Sequence, residues 1–127
     1  MSIFDEWNRY KKQLNTLKRK IHFHEREIWF CYLGKNVGHE QDGGEAFLRP
    51  VIILKKFNKR LFWGIPLTLK SKEGTFYILT KDNKNKERTA ILSQLKLLDV
   101  NRLKSKLGQV ALEEFQNIKK TIRGWLS

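Results

Sequence analysis

Arg49 and Thr68 are the two residues of this chain whose types and settings point most directly to chemistry. Arg49 lies in Leu48-Arg49-Pro50-Val51-Ile52-Ile53-Leu54 and Thr68 closes Ile65-Pro66-Leu67-Thr68, so each sits at the end of an apolar run with strand character. A guanidinium presents a planar fork of donors that matches phosphate oxygens, and a threonine hydroxyl adds a neutral donor that can turn toward a third oxygen. The pair suits phosphoryl transfer without a metal.

Other residues with chemical potential read as structural. His22-Phe23-His24 would place both rings on one face of a strand with no third ligand, so a helix-to-strand linker is expected there. Cys31 lies within Ile28-Trp29-Phe30-Cys31-Tyr32-Leu33 and is expected to be a buried thiol rather than a nucleophile. As the only cysteine it excludes an intrachain disulfide framework and suits a reducing compartment. Gly34 through Gly38 lacks the Gly-Lys-Ser/Thr ending of a phosphate-binding P-loop, so nucleotide hydrolysis has no support. No group of His, Cys, Asp and Glu has metal-ligand spacing, and neither a metal nor a cofactor is expected. Phe57, Phe62 and Trp63 lie among Lys55, Lys56, Lys59 and Arg60, which would set stacking faces beside cations for single-stranded RNA. Strand alternation lets only one of Phe62 and Trp63 point inward, leaving the other for a dimer interface or RNA.

These residues must be positioned by one small domain, because 127 residues can bury one core but not two ordinary ones. The chain carries 26 Lys and Arg against 13 Asp and Glu, a net +13. Its basic residues recur from end to end, which points to an anionic partner, nucleic acid first and an acidic protein segment second. Residues 3 to about 21 read as an amphipathic helix, since Ile3, Trp7, Tyr10, Leu14, Leu17 and Ile21 recur at steps of four and three. That stripe is expected to pack on its own domain.

From Arg26 onward the pattern becomes β-like, with strands expected near 27–33, 48–56, 60–67 and 75–80 and shorter ones near 88–92 and 95–103. Gly34 to Glu45 reads as a long loop of the kind that carries function. Helical spacing returns from about Val110 to Leu126 through Leu112, Phe115, Ile118, Ile122 and Trp125. Short strands flanked by helices predict a small, strongly bent antiparallel barrel, mainly β with flanking helices (α+β). No segment reaches the length of a membrane span, and the N-terminus lacks the features of a signal peptide, so a cytoplasmic protein is expected.

The ordered set Arg-Glu-Ile-Trp at 26–29, Gly-His-Glu-Gln at 38–41, Leu-Arg-Pro-Val at 48–51, Ile-Pro-Leu-Thr at 65–68, Ser-Lys at 71–72 and Leu-Ser-Gln-Leu-Lys at 92–96 resembles the MazF/PemK family of toxin endoribonucleases. The resemblance spans roughly residues 26 to 126. It implies an SH3-like antiparallel barrel of the MazF/CcdB type with a C-terminal helix over residues 25–127, preceded here by the helix and linker of residues 1–24. It also implies a homodimer that cuts single-stranded RNA at short sequences without a metal, held in check by an antitoxin whose acidic, partly disordered segment occupies the RNA groove. The family's catalytic arginine and threonine fall on Arg49 and Thr68, and Glu40 joins them from the Gly-x-Glu-Gln loop. Substrate contacts are expected from His39, Gln41, Lys55, Trp63, Lys70, Ser71 and Lys72. Two features depart from the compact members: a longer spacer from Glu40 to Arg49, and the helix before Arg26.

Read on their own chemistry, the same residues support intramolecular RNA cleavage. That reaction needs a group to take the 2′ proton, charge stabilisation for the phosphorane, and a proton for the departing 5′ oxygen. An arginine suits the second role and not the proton transfers, because it keeps its proton to a pH above about 12. Glu40 is the first choice as base, if its loop brings it within reach. His39 is the second. Two other readings stay open at this point: a non-catalytic gyrase inhibitor in the manner of CcdB, and a basic RNA-binding module without activity. A gyrase poison does not need the Arg49 and Thr68 pair, whereas the long Glu40 to Arg49 spacer leaves room for an inactive module.

Overall fold

The computed structural model describes residues 21–33 and 48–126. The N-terminal helix expected over 3–21, apart from Ile21, and the loop from Gly34 to Glu45 lie outside the described residues. So do Glu40, His39 and Gln41.

The described chain forms strands β1 (Glu27–Tyr32), β2 (Leu48–Lys56), β3 (Leu61–Thr68), β4 (Tyr77–Lys81), β5 (Glu87–Ile91), β6 (Lys96–Asp99) and β7 (Leu103–Gln109), then helix α1 (Leu112–Trp125). All named pairings are antiparallel, in the order β4-β5-β3-β2-β1-β7, with β6 also on β3. The architecture is therefore mainly antiparallel β with a C-terminal helix, as expected. One expected strand is corrected. The stretch 95–103 divides into β6, a 3-10 turn at Val100–Arg102 and the start of β7. Asp99 makes the break: its carboxylate accepts the Asn101 N–H at 2.8 Å, while the Val100 N–H bonds the Arg60 carbonyl at 2.7 Å.

Strand β3 bends the sheet because it changes partners along its length. Leu61 to Gly64 pair with β6, and Leu67 and Thr68 pair with β5. Pro66 sits at the changeover, where its lack of an N–H leaves no donor to be stranded. Gly64 is required by packing, since a Cβ there would lie 2.5 Å from Val51 Cγ1 and 2.9 Å from Leu98 Cδ1. The two outer strands are not joined by a ladder. They meet through one isolated bridge, Asp82↔Val110, beyond the ends of β4 and β7. Lys104 and Lys106 sit on the outer strand β7, a common guard against edge-to-edge pairing.

Alternation along β2 and β3 divides the apolar side chains between two cores. Val51, Ile53 and Phe62 pack with Phe23, Trp29, Cys31, Leu98 and Leu103 on one face. Ile52, Leu54, Ile65 and Leu67 pack on the other face under Phe115 and Ile118 of α1. Full burial of a side chain of that size is worth about 1.5–3 kcal/mol. The favourable placement of Glu113 and Glu114 in the first turn contributes only about 0.3–1 kcal/mol each, so packing rather than end charge holds α1 in place.

Two buried carboxylates fasten the rim. Glu27 accepts the Trp29 Nε1–H and the His24 N–H, both at 2.9 Å, and lies 3.1 Å from Lys106 Nζ. The Arg-Glu-Ile-Trp segment is thus a scaffold element, with Arg26 Nε donating to the Val110 carbonyl at 2.9 Å. Asp82 accepts the N–H groups of Lys84 and Lys86 and pairs with Arg88 Nη1 at 2.9 Å. Burial alone would raise its carboxyl, but the Lys86 and Lys84 N–H groups and Arg88 outweigh burial and hold it below the ordinary value.

A carboxyl depressed in the folded state stabilises the fold above its unfolded pKa, and that stabilisation is lost as pH falls through the folded value. Asp82→Asn would leave the Arg88 guanidinium buried without its counter-charge, and we expect a loss of about 3–5 kcal/mol at pH 7. The loss should shrink at pH 3. Urea unfolding of both proteins at the two pH values checks this, and an equal loss at both would show that the charge is not the source.

Candidate active site

Arg49 and Thr68 lie at the same end of two neighbouring strands. The β2–β3 ladder ends with Val51 paired to Pro66, and Arg49 and Thr68 each lie two residues beyond that rung. By alternation each shares the sheet face of the ladder residue two places from it. On its other side Arg49 pairs with Cys31 of β1, which in turn pairs with Leu103 of β7, and Thr68 pairs with Thr89 of β5. Leu48 pairs with Tyr32, so the described chain leaves β1 and resumes in β2 beside Arg49.

Both side chains are available for a ligand. Arg49 is exposed, and among the described residues no carboxylate pairs with its guanidinium. Thr68 Oγ1 accepts the Lys70 N–H at 3.2 Å. That bond engages an oxygen lone pair and fixes the hydroxyl in place while leaving its proton free to be donated. Anion binding by a free arginine fork and a positioned hydroxyl donor is what this geometry can do.

Cys31 pairs with Arg49 across β1 and β2 and is a buried thiol, as expected. It is fully buried, and burial pushes its thiol up to about 12, with the nearby Arg102 opposing the shift. Arg102 was not among the expected site residues. It donates from Nη1 to the Tyr32 carbonyl at 3.1 Å and so adds a second cation at the Arg49 end of β1. Its only sequence signal is charge, and it was hidden inside a stretch expected to be one strand.

The remaining expected residues separate. Lys70, Ser71 and Lys72 follow β3 after Leu69 and are exposed, with Lys72 Nζ 5.9 Å from the centre of the Tyr77 ring. Lys55 and Trp63 pair with each other near the opposite ends of β2 and β3. Six residues of strand separate Lys55 from Arg49, roughly 20 Å. Alternation also turns Trp63 to the face that carries α1, away from Thr68. The structure does not bring these two to the Arg49 and Thr68 end. Phe62 is fully buried and Trp63 is 39% exposed, which divides that dipeptide as alternation requires.

Residues 24–126 match the PemK-like, MazF-like toxins of type II toxin-antitoxin systems. The chain belongs to this family. Comparison with curated protein sequences gives no match. Among solved structures, MazF from Deinococcus radiodurans superposes with a TM-score of 0.62 at 14% identity, covering 84% of this chain and 97% of that one. A structure described as an endoribonuclease from a mycobacterial species gives 0.62 at 12% identity, over 84% and 93%. The Mycobacterium tuberculosis toxin MazF-mt6 gives 0.60 at 14% identity, over 78% and 94%. At such identities the likeness is one of fold, and it agrees with a PemK/MazF assignment made from sequence alone.

Proposed function

We propose that this PemK/MazF-family protein is a metal-independent endoribonuclease toxin. It cuts single-stranded RNA at short sequences and acts as a homodimer in the cytoplasm, restrained by an acidic antitoxin. The observation that supports the reading is the placement of Arg49 and Thr68 at the same end of β2 and β3, each two residues beyond the Val51–Pro66 rung, with no acceptor taking the Thr68 hydroxyl proton among the described residues.

In this reading the substrate supplies its own nucleophile. The 2′ oxygen attacks the adjacent phosphorus and the bond to the 5′ oxygen breaks, leaving a 2′,3′-cyclic phosphate and a 5′-hydroxyl. Arg49 binds two non-bridging oxygens and offsets the charge that grows on them in the phosphorane. Thr68 donates a further hydrogen bond to one of these two oxygens. Glu40 takes the 2′ proton, His39 is the second candidate for acid or base work, and the departing 5′ oxygen takes its proton from whichever of these groups is protonated or from water. Lys70, Ser71 and Lys72, which follow Thr68 in the chain, hold the flanking backbone with His39 and Gln41.

A digest of a long, largely unstructured RNA with and without EDTA tests this proposal. Cutting at discrete sites at the same rate in both is expected. Loss of cutting on chelation, restored by a divalent ion, would contradict the mechanism.

A further inference from the structure

The end of α1 leaves an apolar groove of about 170 Å³ beside β2 and β3, on the sheet face that turns away from Thr68. Leu54, Trp63, Ile122 and Leu126 form its apolar lining. The groove continues into a patch, since Trp63 stands beside Leu97 on the β3–β6 ladder and packs edge-on with Phe57, ring centres 5.0 Å apart. Phe57 is 45% exposed, Leu97 56% and Leu126 83%. Single exposed leucines are ordinary, but a contiguous patch of large apolar side chains marks an interaction surface.

The rim supplies the second observation. Lys55, Lys119 and Arg123 line the groove, and no carboxylate lines it among the described residues. A second copy that met this groove with its own would bring the same three cations against them. RNA would satisfy the charge, but Leu54, Ile122 and Leu126 offer aliphatic surface rather than faces on which bases stack. An RNA strand seated at Arg49 would also have to change sheet face to reach it. The lining and rim together fit a polypeptide with large apolar side chains and acidic neighbours.

We propose that this groove anchors the acidic antitoxin by its apolar side chains, at a place separate from the Arg49 and Thr68 site. The inference rests on the toxin reading above. It makes anchoring and inhibition separable, and it assigns Trp63 to the protein partner rather than to RNA.

The test uses the full chain and two fluorescein-labelled synthetic peptides of equal length. Both carry Leu and Phe at helical i, i+3, i+4 and i+7 positions, one with Glu and the other with Lys elsewhere. The Glu peptide should bind in an anisotropy titration, and the Lys peptide should not. Binding should weaken about tenfold or more in Leu126→Asp and in Lys119→Glu combined with Arg123→Glu. These positions are exposed or partly exposed on the last turns of α1 or just after it, and RNA cleavage by the variants should stay within about twofold of wild type.

Unchanged Glu-peptide binding in both variants would overturn the proposal. So would conversion of a dimer to a monomer in sedimentation, which would assign the groove to a second copy, or a loss of RNA affinity with peptide binding intact. If the wild-type protein binds the Glu peptide at the groove but cuts no RNA, the endoribonuclease reading fails and the groove assignment to an acidic polypeptide stands.

Discussion

Arg49→Ala should slow RNA cleavage by about 100-fold or more, the scale of losing a donor aimed at developing charge in a transition state. The fold should be unaffected, because Arg49 is exposed at a strand end and supports neither core. Arg49→Lys should restore little, since an ammonium cannot reproduce the two parallel donors of the guanidinium. Thr68→Val removes the hydroxyl while keeping the shape, and a smaller but clear defect is expected. Single-turnover rates at saturating protein separate these effects from binding. A folded Arg49→Ala variant that cuts at wild-type speed would remove Arg49 from the site and with it the main geometric support for the nuclease reading.

Replacing the 2′-hydroxyl at the cut site with hydrogen should abolish cleavage altogether. The reason is chemical: with the nucleophile gone, no group of the protein substitutes for it, whereas the phosphate contacts of Arg49, Thr68 and the lysines remain. The deoxy-substituted RNA should therefore bind nearly as well as the unmodified one and compete with it. Its affinity should fall with salt at a slope of roughly 0.7 per phosphate contacted, as expected for a +13 chain displacing counterions from a single strand. Cutting of the modified RNA at the normal rate would show that water is the nucleophile.

Much of the fold was legible because local pattern and tertiary outcome agree. The apolar runs of β1, β2 and β3 are strands, Cys31 is buried in the first of them, and the spacing of Leu112, Phe115 and Ile118 forms a helix whose inner face meets the sheet. Lys104-Ser105-Lys106-Leu107-Gly108-Gln109, beyond the strand expected to end near residue 103, carries no strand pattern of its own. It buries few apolar side chains, and its place is set by pairing with β1 rather than by its own pattern. The turn at Val100–Arg102 escaped notice because it depends on Asp99 accepting a backbone N–H and on Arg60 some forty residues away.

The candidate site shows the same division. Arg49 and Thr68 could be named from their chemistry and from the order of motifs around them. That they lie at the same end of neighbouring strands follows from the β2–β3 register, which the turn at 57–60 and the register shift between Ile53 and Lys55 jointly determine. The shift also places Lys55 opposite Trp63 and away from Arg49. The cations and aromatics near one another in sequence do meet, with Lys55 Nζ 5.9 Å from the centre of the Phe57 ring, but spacing along a chain does not specify which end or face of a sheet they will occupy. Asp82 and Arg88, six residues apart in a polar stretch, gave no sign of being the buried pair they are.

The chemistry of the new RNA ends tests the central claim most directly. Fragments from a digest by the purified protein in EDTA should carry 5′-hydroxyls that polynucleotide kinase labels without prior phosphatase treatment. Their 3′ ends should be 2′,3′-cyclic phosphates, seen by mass spectrometry as a loss of one water relative to the open phosphate. Fragments with 5′-phosphate and 3′-hydroxyl ends would contradict the account, because those ends arise from attack by water rather than by the substrate's own sugar.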